Sequence, residues 1–228
     1  LRGRWKVPHY DAKGAANALF RERGVPTTLL TPSFFWEHLI RYGMQPQRGA
    51  DGRLVFVLPM GALPLPGMAV ADIGTGGGYY VMRVAPVVGP QGRVFAQDLS
   101  PGVLERVRQR TRAANFTNVR FVQGSQANAR LPAASVDVAL MIHMYHEIEQ
   151  PYLLLDRLRR SLKPGGRIVV VDLDRPSEEH GMPKALLACE VKAVGYELIS
   201  MTDIKQGYVA MFRPGVRPRP ETVKACRG

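Results

Sequence analysis

Short apolar runs with little polar alternation recur along the chain from Met68 onward: residues 68–73 (MAVADI), 93–99 (RVFAQDL), 119–124 (VRFVQG), 136–144 (VDVALMIHM) and 167–173 (RIVVVDL). Runs of this kind predict parallel strands covered on both faces. Between them the period lengthens. Residues 100–114 (SPGVLERVRQRTRAA) predict a helix with Ser100 as N-cap and Pro101 in its first position. Residues 150–166 (QPYLLLDRLRRSLKPGG) predict another, which starts at Pro151, places Leu154, Leu155, Leu158 and Leu162 on one face, and stops at Gly165 and Gly166. This alternation predicts an α/β doubly wound sheet with right-handed crossovers. Near the end, residues 197–204 (ELISMTDI) and 207–214 (GYVAMFRP) are separated only by Lys205 and Gln206. Two residues cannot make a parallel crossover, so these form a hairpin and one strand runs antiparallel.

The first 66 residues lack this regularity. Residues 11–26 (DAKGAANALFRERGVP) predict a helix stopped at Gly24 with Pro26 beyond it, and residues 27–43 are apolar and aromatic with an internal proline. Residues 52–61 (GRLVFVLPMG) predict a strand, and 62–67 (ALPLPG) a joint between residues 1–66, a partial α/β segment, and a domain at 67–228.

Composition adds bounds. Hydrophobic residues make up 46% of the 228, and no uncharged apolar run approaches the length of a membrane span. The start, LRGRWKVPHYDAKG, has no apolar core or cleavage site, so it does not read as a signal peptide, and its lack of an initiator methionine fits a piece of a longer chain. Cys189 and Cys226 have no metal or CxxC spacing and are expected to be free thiols of a cytoplasmic protein. The formal charge is +12, from 31 basic and 19 acidic residues. That excess makes nucleic acid a candidate partner. However, Arg106, Arg108, Arg110 and Arg112 step by two and spread around their helix, which predicts a solvated basic surface.

A strand ending in Asp72 runs into Gly74, Gly76, Gly77 and Gly78. A dinucleotide fold wants G-x-G-x-x-G, and its third glycine falls on Tyr79. A pyrophosphate ligand is therefore disfavoured by the residue itself. With VADIGTGGGYY, the acidic end of VFAQDLS, YHEIEQP after the fourth strand, LKPGGRIVVVD and the final hairpin, the chain from about residue 67 resembles the class I S-adenosylmethionine-dependent methyltransferases. The resemblance implies a Rossmann-like, mostly parallel seven-stranded sheet, S-adenosylmethionine as cofactor, and donor contacts from Asp72, Gly74, Thr75, Gly76, Gly78, Asp98, Leu99, Ser125 and His143. The chemistry agrees. Glycines let the backbone approach the amino acid and ribose, Asp72 is placed for the ammonium, and Asp98 for the ribose hydroxyls. Many relatives carry an acidic adenine contact after the third strand. Here that stretch is FVQGSQANARLP, leaving Ser125, Gln126 or backbone for the adenine.

Methyl transfer from a sulfonium is an in-line displacement that requires orientation and, for some acceptors, removal of a proton. His146 is the candidate base and Tyr145 a candidate for packing the methyl or the substrate; both follow the fourth strand, at the edge where open sheets bind ligands. His143 and His146 show no third ligand in sequence, and no metal is expected. Asp172, Arg175 and His180 lie in a long loop leading into a helix, where they could face the acceptor, but a solvated loop is the expectation. Residues 5–74 resemble instead the C-terminal part of NmrA-like NAD(P)-binding proteins, without that family's upstream glycine loop. Two alternatives to methyl transfer follow: an NmrA-like redox-sensing regulator without catalysis, and a basic nucleic-acid-binding module. The acceptor, small molecule or macromolecule, and the oligomeric state are left open.

Overall fold

A computed structural model describes residues 47–48, 54–55, 66–205 and 207–226. In the N-terminal stretch, β1 (Gln47–Arg48) and β2 (Leu54–Val55) pair antiparallel. The helix expected at 11–26, the aromatic stretch at 27–43 and most of the NmrA-like resemblance lie outside the described residues.

The apolar runs become the centre of one seven-stranded sheet. Its strands are β3 (Ala69–Ile73), β4 (Arg93–Asp98), β5 (Val119–Gln123), β6 (Val136–Ile142), β7 (Leu162–Asp172), β8 (Tyr196–Ile204) and β9 (Gly207–Pro214). They lie in the order β5-β4-β3-β6-β7-β9-β8, and β9 runs antiparallel to both its neighbours. Successive side chains of a strand point to opposite faces, and β3 shows the result: Val70 belongs to one apolar cluster, and Ala71 and Ile73 to the other. The first cluster joins the sheet to α1 (Val81–Val88) and α2 (Pro101–Ala113) through Val81, Val84, Val88 and Val107. The second joins it to α3 (Pro151–Leu158) and α4 (Lys184–Ala193) through Leu154, Leu155, Leu158, Leu187 and Val191. Full burial of each such side chain stabilises the fold by about 1.5–3 kcal/mol.

Helix ends follow from local chemistry. The Ser100 hydroxyl accepts the Val103 N–H at 3.3 Å, capping α2. Helix α3 ends at Leu158, well before the expected glycine stop, and Leu162 already belongs to β7. α1 gave no sequence signal because it is eight residues long with Pro86 inside.

One expectation is corrected. Cys189 and Cys226 are not free thiols; they form a disulfide across a separation of 37 residues, with Cα atoms 6.1 Å apart. The pairing has no spacing signature because the tail must first return across α3. Arg217 grips Asp156 through two contacts of 2.7 Å, and the Cys226 N–H donates to the Tyr152 hydroxyl at 2.7 Å. Among the described residues, no helix is long and apolar enough to cross a membrane.

Candidate active site

The carboxyl ends of β3, β4, β6 and β7 build the site. After β3 the backbone turns through Gly74 (φ 67°), Gly76 (φ 49°) and Gly78 (φ 73°), a region that favours glycine. The three have different neighbours. Gly74 and Gly76 line a cavity of about 250 Å3. Gly78 packs instead on α2, where a Cβ would lie 2.8 Å from Val107 Cγ1. The loop is braced from below. The Thr75 hydroxyl donates to Asp72 at 2.8 Å, and the Thr75 N–H donates to the Gln97 carbonyl at 2.8 Å. Asp72 is buried and does not line the cavity. Burial, opposed by the Thr75 hydrogen bond and aided by the charge of Asp98, pushes its carboxyl up to about 7.

Asp98 closes β4 at the cavity wall. One carboxylate oxygen accepts the Gly76 N–H at 3.0 Å and the other the Ser100 N–H at 2.9 Å. Two fixed amides thus hold the carboxylate in place for a polar ligand. Leu99 beside it is 42% exposed and offers an apolar surface. Ser125 and Gln126 line the cavity from a tight turn in which Ser125 and Asn128 exchange backbone hydrogen bonds at 2.8 and 3.1 Å. Met144, Glu147, Ile148 and Leu154 complete the wall from the segment after β6.

Beside this wall lies a polar cluster. His143 sits in the left-handed region (φ 51°), a conformation that a non-glycine residue keeps only when its surroundings enforce it. Its N–H donates to Val171 at 2.7 Å, and its Nδ1 lies 3.3 Å from Asp172. His146 brings Nδ1 to 3.0 Å from the same carboxylate, whose other partner is the Leu173 N–H at 2.9 Å. Burial raises Asp172, but hydrogen bonds from the two imidazoles outweigh it and hold the carboxyl below its ordinary value. Burial alone pulls His146 down; the hydrogen bond and charge of Asp172, with the charge of Glu147, more than reverse this against the opposing charge of Arg175. The ring of His180 lies 6.2 Å from that of His146.

The sequence found no third ligand for the two histidines, yet Asp172 provides one: His143, His146 and Asp172 offer ligand atoms all within 4.8 Å of one another. The same geometry is accounted for by two imidazoles donating to one carboxylate. Tyr145, the candidate for packing the methyl or the substrate, is 2% exposed, and its hydroxyl donates to Glu190 on α4 at 3.0 Å. Of the expected donor contacts, Gly74, Gly76, Asp98, Leu99 and Ser125 line the cavity; Asp72, Thr75, Gly78 and His143 do not. Gln97 was missed. It is buried, lines the cavity and accepts the Gly74 N–H at 3.4 Å, and its only signal is a polar residue inside an apolar strand.

A family model described as a methyltransferase domain matches residues 64–207. The chain belongs to that family. It is similar to an arsenite methyltransferase of Halobacterium salinarum, 27% identical over 54% of this chain and 33% of the relative. It is also similar to a protein-L-isoaspartate O-methyltransferase of Ignicoccus hospitalis, 30% identical over 48% of this chain and 49% of the relative. The chain thus spans about half or less of the length of these relatives. In fold it is similar to a SAM-dependent methyltransferase of Aquifex aeolicus, with a TM-score of 0.62 and 22% identity over 66% of this chain and 84% of that one. S-adenosylmethionine is the cofactor that the methyltransferase site fits. Gly74, Gly76, Asp98 and Leu99 all lie on the wall of the cavity, with the Asp98 carboxylate fixed by two backbone N–H groups. Tyr79 stands where a pyrophosphate site needs glycine, and the Arg83 guanidinium covers its ring at 3.4 Å. The NmrA-like resemblance of residues 5–74 finds no support beside this match.

Proposed function

We propose that this chain transfers the methyl group of S-adenosylmethionine to an acceptor whose proton passes to His146. The acceptor lone pair forms the new bond to the methyl carbon, the carbon–sulfur bond breaks with its electrons going to sulfur, and the donor leaves as a neutral thioether. The protein's part is to orient the two reactants, exclude water and receive the proton. The observation that carries this reading is the His146–Asp172 contact at 3.0 Å, set at the ends of β6 and β7 on the same short turn as the cavity residue Glu147. A carboxylate on Nδ1 fixes the tautomer that leaves Nε2 to accept a proton. His146 side-chain exposure is only 3%, which keeps the proposed base out of bulk water. The acceptor itself is unidentified, and the charge of +12 keeps RNA among those to screen.

Calorimetry with S-adenosylhomocysteine against NADPH and NADP tests the donor site. Micromolar binding of the thioether is expected, abolished by Gly76→Val, which places a β-branched side chain at positive φ on the cavity wall, and weakened by Asp98→Ala. Tighter binding of NADPH overturns the reading.

A further inference from the structure

Arg175 lies in the loop between β7 and α4, beside the histidine cluster and outside every role assigned above. The loop is tied down at both ends. The N–H groups of Arg175 and Met182 donate to the Leu173 carbonyl at 3.0 and 2.8 Å, and the Tyr208 hydroxyl donates to the Met182 carbonyl at 2.7 Å. The Arg175 side chain rests on Gly181, where a Cβ would collide with Arg175 Cγ; the glycine is what lets the arginine lie there. Its charge reaches His146.

The arginine is also uncompensated. Asp172 is engaged by His143 and His146, and Asp174 by Lys184, through the backbone N–H at 3.0 Å and the ammonium at 3.2 Å. Among the described residues the Arg175 guanidinium makes no ion pair or hydrogen bond, and its Nε is shielded from solvent without a partner. A buried donor left without a partner destabilises the fold unless a ligand supplies one. A chain that holds a guanidinium in place without a carboxylate, next to its own candidate base, has the half of an ion pair that a ligand completes. The planar fork suits a bidentate anion better than a neutral group.

We propose that Arg175 docks an anionic group, a carboxylate or a phosphate, carried by a small-molecule methyl acceptor. The proposal rests on the methyl-transfer reading of the site for the word acceptor, but the anion contact itself does not depend on it. Docking at Arg175 sets the distance between the anion and the atom that reaches His146, so acceptors lacking the anion bind poorly and out of register.

The test uses the full chain saturated with S-adenosylhomocysteine and titrated with benzoate, phenyl phosphate and benzyl alcohol. The readout is the 15N Nε–H resonance of Arg175, assigned by its loss in Arg175→Lys. At least one anion should bind and shift this resonance, with benzyl alcohol leaving it in place, and whichever anion binds tells carboxylate from phosphate. Arg175→Gln should weaken anion binding roughly tenfold or more with thioether affinity unchanged. Should that variant not fold, Arg175→Lys keeps the charge but loses the fork and should still weaken the anion several-fold. Equal binding of alcohol and anions, no anion binding, or full anion affinity in the folded variant overturns the site. Anion binding at Arg175 in a chain blind to the thioether would instead sink the methyl-transfer reading and leave the anion site standing.

Discussion

Asp172 is the residue on which most of the site chemistry converges, and it and Asp72 each set an expectation. If His146 takes the acceptor proton, His146→Ala should leave thioether affinity intact and cut turnover by about 100-fold, the usual scale for losing a general base. Asp172 raises the pKa of His146, so the base is neutral only above that raised value, and turnover should climb as pH rises through it. Asp172→Asn should move that climb to lower pH while lowering the plateau. Unchanged turnover in the His146 variant would make the dyad purely structural. The second expectation concerns Asp72. Its ordinary value is 3.8 and burial lifts it to about 7, so across that interval the folded chain keeps a proton that the unfolded chain releases. Stability must therefore fall as pH rises through this window. Asp72→Asn should match the parent near the acid end and exceed it above the window by a few kcal/mol, since each tenfold change in proton affinity is worth about 1.4 kcal/mol. Denaturant unfolding of the donor-free chain at a series of pH values measures both limbs, and a constant gap would refute it. At this scale the sequence was legible where a residue type permits one task. Asp98, Gly74 and Gly76 lie on the cavity wall, whereas Gly78 serves the packing of α2. The Tyr145 hydrogen bond was not legible, because its hydroxyl points to an α4 residue that no local pattern connects to it.

Among the elements, the tail is the one whose attachment is open to a direct test. The Cys189–Cys226 bond pins it to α4, and Arg217 pins it to α3. A cross-link closing a loop of this size contributes about 2–4 kcal/mol. Cys226→Ser should lower the melting temperature by several degrees, and a reductant should lower the parent to the same point without further effect on the variant. A parent indifferent to reductant would show that the bond contributes nothing to stability. The elements that the sequence revealed are those with a local cause. α2 has its cap at Ser100, and the β8–β9 hairpin has a connection too short for anything else. α1 has neither cap nor length, and α3 gives way to β7 because Leu162 is needed on the sheet opposite Val136.

For the molecule as a whole, the described residues that line the cavity all lie at or beyond Ile73. A chain starting at Leu65 should therefore bind S-adenosylhomocysteine within a few-fold of the full chain, as judged by calorimetry. A folded but unresponsive product would place residues of the N-terminal stretch in the site. The sheet was legible throughout because buried parallel strands must be apolar along their whole length. The arginine excess was less informative: Arg83, Arg108 and Arg159 lie over aromatic rings, and Arg217 pairs with an acid, so much of the charge is already employed within the fold.

The strand order has a consequence in time. β3 finds one partner soon, in β4, but its other edge waits for β6, where Val70 meets Val138. A chain emerging from the ribosome thus completes the half that carries the glycine turn and Asp98 while one side of its central strand is still bare. During that interval the nascent protein carries an open apolar edge, the feature that invites pairing with other chains. The interval closes when β6 docks, and the same event delivers Met144, Ile148 and Leu154 to the remaining wall of the cavity. The central strand is thus covered and the cavity walled in one step of synthesis, while the open edge passes to β6 until β7 pairs with it.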